Sequence, residues 1–127
     1  MQKQYLYEYA VIRVVPRVER EEFFNAGLIL FSKSENYIQI RVHLPEEKVR
    51  LFAPGLDPAV LQIHLDAFEK VGAGSPDSGR IGQMEVPERF RWLTAVRSAS
   101  LQTSRPHPGL TEDLDATFEK LFTELVL

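Results

Sequence analysis

The sequence predicts a layered α+β fold: an antiparallel sheet of three to four strands with helices packed mainly on one face, in the order β-β-β-α-α-α-(β)-α. Two observations carry this prediction. Up to residue 44 the chain consists of apolar, β-branched and aromatic runs separated by short polar connections. Beyond Pro45 the apolar residues recur at helical spacing, with Pro, Asp, Thr and Gly where helices start and stop.

Tyr5 to Pro16 reads as a first strand, and Arg17 to Glu22 as a charged connection. Phe23 to Ser32 (FFNAGLILFS) is apolar on both faces, which suits a central strand. Ser34-Glu35-Asn36 forms a turn into a third strand, Tyr37 to Leu44. Its alternation sends Ile38, Ile40, Val42 and Leu44 inward and Tyr37, Gln39, Arg41 and His43 outward. The short connections make two antiparallel hairpins.

Pro45-Glu46-Glu47 opens a first helix, where carboxylates favour the positive end of the dipole; it stops by Pro54. Asp57-Pro58 caps a second, running to Val71 and ended by Gly72. Its buried face is predicted as Val60, Ile63, Ala67 and Val71, widened by Leu61, Leu65 and Phe68. The stretch 72–82 (GAGSPDSGRIG) is expected to be the long flexible connection; it lacks the Gly-Lys-Ser/Thr end of a phosphate-binding loop. Pro87 starts a third helix carrying Phe90, Leu93 and Val96, with Trp92 alongside. Ser98 to Ser104 is a strand or an extended loop, and Arg105 to Gly109 a rigid turn. Thr111 is expected to cap the last helix, whose stripe is Leu114, Phe118, Leu121, Phe122 and Leu125.

Composition narrows the function classes. A chain of 127 residues with 44% hydrophobic and 26% charged residues fits one globular domain, 1–127, with its own core. No cysteine is present, which removes disulfides, thiolate nucleophiles and cysteine-held zinc. The apolar run Tyr9 to Val15 is too short to span a membrane and has no signal-peptide flanks, so a cytoplasmic location is expected. A net charge of −3 disfavours nucleic-acid binding through bulk charge. Charge is uneven: residues 80–110 hold five Arg against Glu85 and Glu88, and residues 111–127 hold five acids against Lys120. The plain reading is that the acidic last helix neutralises the Arg-rich segment.

Several polar residues are candidates for a site. Arg13 interrupts the first strand on the face of Tyr9, Val11 and Val15, where a guanidinium needs Glu21, Glu22 or a bound anion. Arg17 lies just beyond. Asn25 would either fix the hairpin register against the first strand or touch a ligand, and Gly27 marks a bulge or a close backbone approach. Arg97, Ser98, Ser100, Gln102, Thr103, Ser104, Arg105 and His107 crowd one segment. Such forks and hydroxyls suit a phosphate or carboxylate, and equally suit an edge strand capped by its own side chains.

Other chemistries find less support. His43, His64 and His107 lack metal-ligand spacing, so no metal is expected, and no cofactor motif is present. Ser104 and His107 are separated by Pro106 and lack a nucleophile elbow. Tyr5, Tyr7 and Tyr9 alternate on one face, as a stacking platform for single strands or, more simply, as half-buried tyrosines under a helix.

Two stretches, YEYAVIRVVPRVEREEFFNAGLILF (Tyr7 to Phe31) and ERFRWLTAVRSASLQTSRPHPGLTEDLDATFEKLFTELV (Glu88 to Val126), carry a family resemblance. The motifs are Arg-Val-Val-Pro, Arg-x-Glu-x-Glu-Glu-Phe and Asn-x-Gly in the first, and Arg-Phe-x-Trp-Leu, Arg-Ser and His-x-Gly in the second. In these the chain resembles the bacterial domain-of-unknown-function family numbered 3037. The resemblance implies no catalytic residues; it implies an association with a HipA-like kinase-domain protein, frequently encoded beside such members.

The leading expectation is therefore a non-catalytic protein-interaction module using Arg13, Arg17, Glu22, Asn25, Arg97, Ser98, Gln102, Arg105 and His107. The first alternative is an enzyme, or enzyme subunit, acting on a phosphate-bearing substrate. Its anion clamps would be Arg13, Arg97 and Arg105, with Glu22 and His107 as acid and base. The second alternative is single-stranded nucleic-acid binding.

Overall fold

The structure, a computed structural model, describes residues 3–17, 20, 22–95 and 100–127. Among these the order is β1 (Tyr5–Val14), β2 (Phe24–Ser32), β3 (Tyr37–Val42), α1 (Glu46–Phe52), α2 (Pro58–Ala73), α3 (Gly79–Gly82), α4 (Val86–Leu93), β4 (Leu101–Thr103), β5 (His107–Thr111) and α5 (Leu114–Leu125). The fold is α+β with one antiparallel sheet, as the sequence predicts. The third predicted helix corresponds to α4, and α3 is an extra turn within the stretch 72–82.

β1 lies inside the sheet, with β2 and then β3 on one flank. Its other flank is shared: β5 pairs Tyr5 to Tyr9, and β4 pairs Ile12 to Val14. β5 occupies the segment expected to be a rigid turn. Pro108 is compatible with a strand there because β5 is at the edge, where a missing N–H can face away from the sheet.

Alternation divides the sheet residues between two cores. Ile12 and Val14 of β1, with Ile29, Phe31 and the isoleucines of β3, meet Val49 of α1, Leu61, Leu65 and Phe68 of α2, and Phe90 and Leu93 of α4. Phe31 stacks on Phe90 at 4.5 Å between ring centres. The opposite face of β1, with Leu28 and Leu30 of β2, meets Leu114, Phe118 and Phe122 of α5. Most helices therefore cover one face, and α5 alone among the described helices covers the other. Tyr37, Gln39 and Arg41, predicted to point outward, lie on the face that α5 covers.

Arg41 shows how α5 is held. Its guanidinium makes two hydrogen bonds to Glu119, of 2.8 and 2.6 Å, and lies over the rings of Phe118 and Phe122. The acidic helix thus meets a cation of β3 through Glu119, whereas the sequence pointed to the Arg-rich segment. Tyr37 Oη lies 2.6 Å from Gln39 Oε1 and 2.9 Å from Asp115 Oδ1. Burial first, and then the Asp115 carboxylate, pushes this phenol well above its ordinary pKa. The N-cap of α5 is Asp113, which accepts from Ala116 N; Thr111 instead accepts from Asp113 N.

Two glycines hold positions that a side chain would disturb. The β1–β2 register shifts between Ile12 and Arg13, as the sequence suggested for a strand containing Gly27. A Cβ on Gly27 would stand 2.9 Å from Ile12 Cδ1 and 3.1 Å from the Arg41 carbonyl. α2 runs two residues past the predicted stop, and Gly74 closes it at φ +64°. Gly74 N donates to Val71 O and Ser75 N to Lys70 O, a Schellman arrangement. Arg89 of α4 then donates to the Val71 and Gly72 carbonyls, placing a cation at the negative end of α2. The segment after Gly74 is tied further by Lys70–Asp77 (2.9 Å) and by Gln83 Nε2 to Ser75 O (2.9 Å).

Two predictions follow from these contacts. Gly74→Ala forces a left-handed backbone on alanine and crowds Arg89 Nη1. It should lower unfolding free energy by about 1–2 kcal/mol in denaturant titration, while Gly55→Ala, with open space around it, stays near neutral. The hydrogen bonds from Arg41 hold Glu119 below the usual carboxylate range. The stability from this pair is complete above the unfolded-state pKa and is lost as pH falls through the lowered value. Glu119→Gln should therefore flatten the acid limb of the melting-temperature profile between about pH 5 and 3.

Candidate functional site

Strand pairing brings the two polar stretches side by side. Arg13 faces Asn25 across the β1–β2 ladder and Gln102 across the β1–β4 ladder. The three residues therefore form one row across the sheet, on the side of α5. The row is not a set of idle donors. Asn25 Nδ2 donates to the carbonyl of Leu125 (2.7 Å), so it closes the C-terminal end of α5 rather than bonding the first strand. Arg13 stacks on Phe23 with its guanidinium carbon 4.0 Å from the ring centre. Its Nε is buried without a hydrogen-bond acceptor. Glu22, one of its two expected partners, instead pairs with Arg20 at 2.9 Å; Glu21 lies outside the described residues.

The electrostatics of this corner suit a cation better than an anion. The last turn of a helix presents carbonyl oxygens and the negative end of its dipole. Arg13 stands beside that end of α5, so its charge offsets a negative potential already present. An incoming phosphate would meet the same potential.

The remaining predicted residues are spread out. Arg17 and Glu22 are exposed on the β1–β2 connection. His107 is exposed on β5 opposite Tyr9, against whose ring it packs at 5.1 Å. That row is four residues back along β1 from Arg13, about 13 Å at the rise of a strand. Arg105 is exposed between β4 and β5. Arg97 and Ser98 lie outside the described residues. Tyr5, Tyr7 and Tyr9 pack against the α5 core, half-buried, as the simpler reading of their alternation expects.

Ser104 has a specific structural task. Between the β4 and β5 pairings, three residues oppose two of β1, so the ladder is interrupted. Ser104 repairs the gap: its N–H donates to Val11 O (2.8 Å), and its hydroxyl accepts from Val11 N (2.9 Å). The same hydroxyl donates to Arg105 O and is almost fully buried. A hydroxyl so engaged is not placed to act as a nucleophile. Among the described residues, no cluster of three metal-ligating side chains occurs, and no helix is long and apolar enough to cross a membrane.

A concavity lies on the opposite face. A groove of about 700 Å³ runs between α2, α3, α4 and β4. Val60, Leu61, Phe68, Ile81, Trp92 and Leu101 provide most of its apolar character, and His64 and Asp57 are its ionisable members. β4 contributes to both sides by alternation: Leu101 enters the helix-side core and groove, whereas Gln102 pairs with Arg13. Along α2 the groove extends from Val60 to Val71, about 16 Å at helical rise.

Local periodicity assigns α2 one wide apolar face and so hides this groove. The core takes Leu61, Leu65, Phe68 and Val71, but Val60 remains 47% and Ile63 67% exposed. Trp92, at 44%, is exposed across the groove. The available signal was surplus: α2 carries more apolar side chains around its circumference than one buried stripe accepts.

The row and the repair hydroxyl predict structural phenotypes. Ser104→Ala leaves the buried Val11 N–H without its acceptor and should cost about 1–3 kcal/mol in unfolding free energy. Inorganic phosphate and nucleotides should leave the melting temperature unchanged. Phosphate stabilisation abolished by Arg13→Ala would restore the anion-clamp alternative.

Neither a curated protein nor a solved structure matches this chain significantly. A family model does match, over residues 9–126, described as a protein of unknown function (DUF3037). The matched span takes in β1 from Tyr9 onward, the Arg13–Asn25–Gln102 row, the groove residues and α5, and by it the chain belongs to the DUF3037 family.

Proposed function

We propose that this chain is a protein-interaction module that receives an apolar segment of its partner in the groove between α2, α3, α4 and β4. One observation carries the reading. Val60, Ile63 and Trp92 are exposed in and around a mainly apolar groove on a chain that has ample polar surface elsewhere.

The volume of the groove falls within the range of small-molecule sites. The apolar surface, however, continues outside it. Ile63 is not among the lining residues, and Leu51 and Phe52, just before the groove residues Gly55 and Leu56, are 75% and 66% exposed. A small ligand confined to the groove would leave these side chains in water. An amphipathic segment of a protein would cover them, with anchors spaced to fit the groove and its rim. The family resemblance suggests a HipA-like kinase-domain protein as the partner to test first.

Trp92 is the single tryptophan and lines the groove, so it reports directly on occupancy. Titration with a HipA-like kinase-domain protein should shift its emission to the blue. Ile63→Glu and Val60→Glu, both at exposed positions, should weaken binding about tenfold or more with unchanged circular dichroism. Binding that survives both substitutions but is lost with Arg13→Ala and Arg105→Ala would place the interface on the strand corner instead.

A further inference from the structure

The helix layer over the Ile12 face of the sheet stops short of one end. Ala10 and Ile12 are fully buried, yet Leu6, further back on the same face of β1, is 60% exposed. Leu110 of β5, directly opposite Leu6, is 61% exposed. Beside them is a hollow of about 490 Å³ bordered by Leu6, Glu8, Phe31, Lys33 and Pro108. Leu110 is not part of its lining, so a projecting leucine stands next to a hollow.

The charges around this patch are equal and opposite. Glu8 and Lys33 both border the hollow, and among the described residues neither makes an ion pair. Strand addition at this edge is impeded because Pro108 has no N–H to offer. A partner therefore meets the face of the sheet, not its edge.

From this we infer that the open end of the sheet is a self-association surface, whose occupant is a second copy of this chain. A two-fold axis through the patch would seat Leu110 of each copy in the hollow of the other. It would also set Glu8 of each copy toward Lys33 of the other, satisfying both charges at once. An isologous contact needs this self-complementarity of one patch, and it closes at two copies. Two leucines and a charged rim supply less than the usual ~800 Å² per partner of a standard interface, so the dimer is reversible and concentration-dependent. The inference is independent of the groove, with which the hollow shares no lining residue.

Sedimentation equilibrium of the full chain over a concentration series tests it. The expected result is a mass rising from 14.6 kDa toward twice that value. Leu110→Glu should raise the dimer dissociation constant about tenfold or more. Glu8→Lys should weaken the dimer too, and the double variant Glu8→Lys with Lys33→Glu should recover it. The charge variants read the same interface even if Leu110→Glu compromises folding. A chain monomeric at every soluble concentration overturns the inference. So does a dimer unaffected by Leu110→Glu and by Glu8→Lys.

Discussion

β1 is hydrogen-bonded along both flanks while its two faces belong to two different cores. Of its ten residues, Glu8 to Val14 pair with β2 on one side, while on the other β5 pairs Tyr5 to Tyr9 and β4 pairs Ile12 to Val14. A strand so placed cannot shift register by one residue, because the shift would exchange the Ile12–Val14 face with the tyrosine face. The rest of the structure accommodates that constraint. The bulge at Ile12/Arg13, the close approach at Gly27 and the hydroxyl of Ser104 all keep the two ladders of β1 satisfied where regular pairing fails.

The same constraint explains why polar residues that look like a site are engaged in structure. Asn25 closes the end of α5, Ser104 supplies a missing acceptor, and Arg13 stacks on Phe23 beside the electronegative end of a helix. Their side chains sit where strands irregularly meet, and irregular pairing exposes backbone groups that need partners. Arg89, the first residue of the Arg-Phe-x-Trp-Leu motif, plays a comparable part in the other layer by holding the end of α2. Residue types suited to binding an outside anion are equally suited to binding the chain's own carbonyls.

Two surfaces remain where the structure leaves a requirement unmet. In the helix layer that requirement is apolar: a groove with Val60 and Trp92 exposed and Ile63 at its margin. At the open end of the sheet it is mixed, with Leu6 and Leu110 beside Glu8 and Lys33. The two surfaces are separate, so a partner in the groove and a second copy on the sheet would not compete for the same residues.

The sequence by itself determined the first three strands, the caps at Asp57 and the stripe of α5, because each rests on local periodicity or on one residue's backbone preference. It also marked Gly27 correctly, since a glycine in a tightly packed strand has few other reasons to be there. Only the tertiary structure decided which apolar residues of α2 are buried, because that depends on how much of the helix's circumference the sheet can cover. It likewise decided that α5 takes the second face of the sheet, and that residues 107–111 form a strand despite Pro108. The pairing that satisfies them is with β1, about a hundred residues earlier in the chain, and a separation of that length leaves no trace in local sequence.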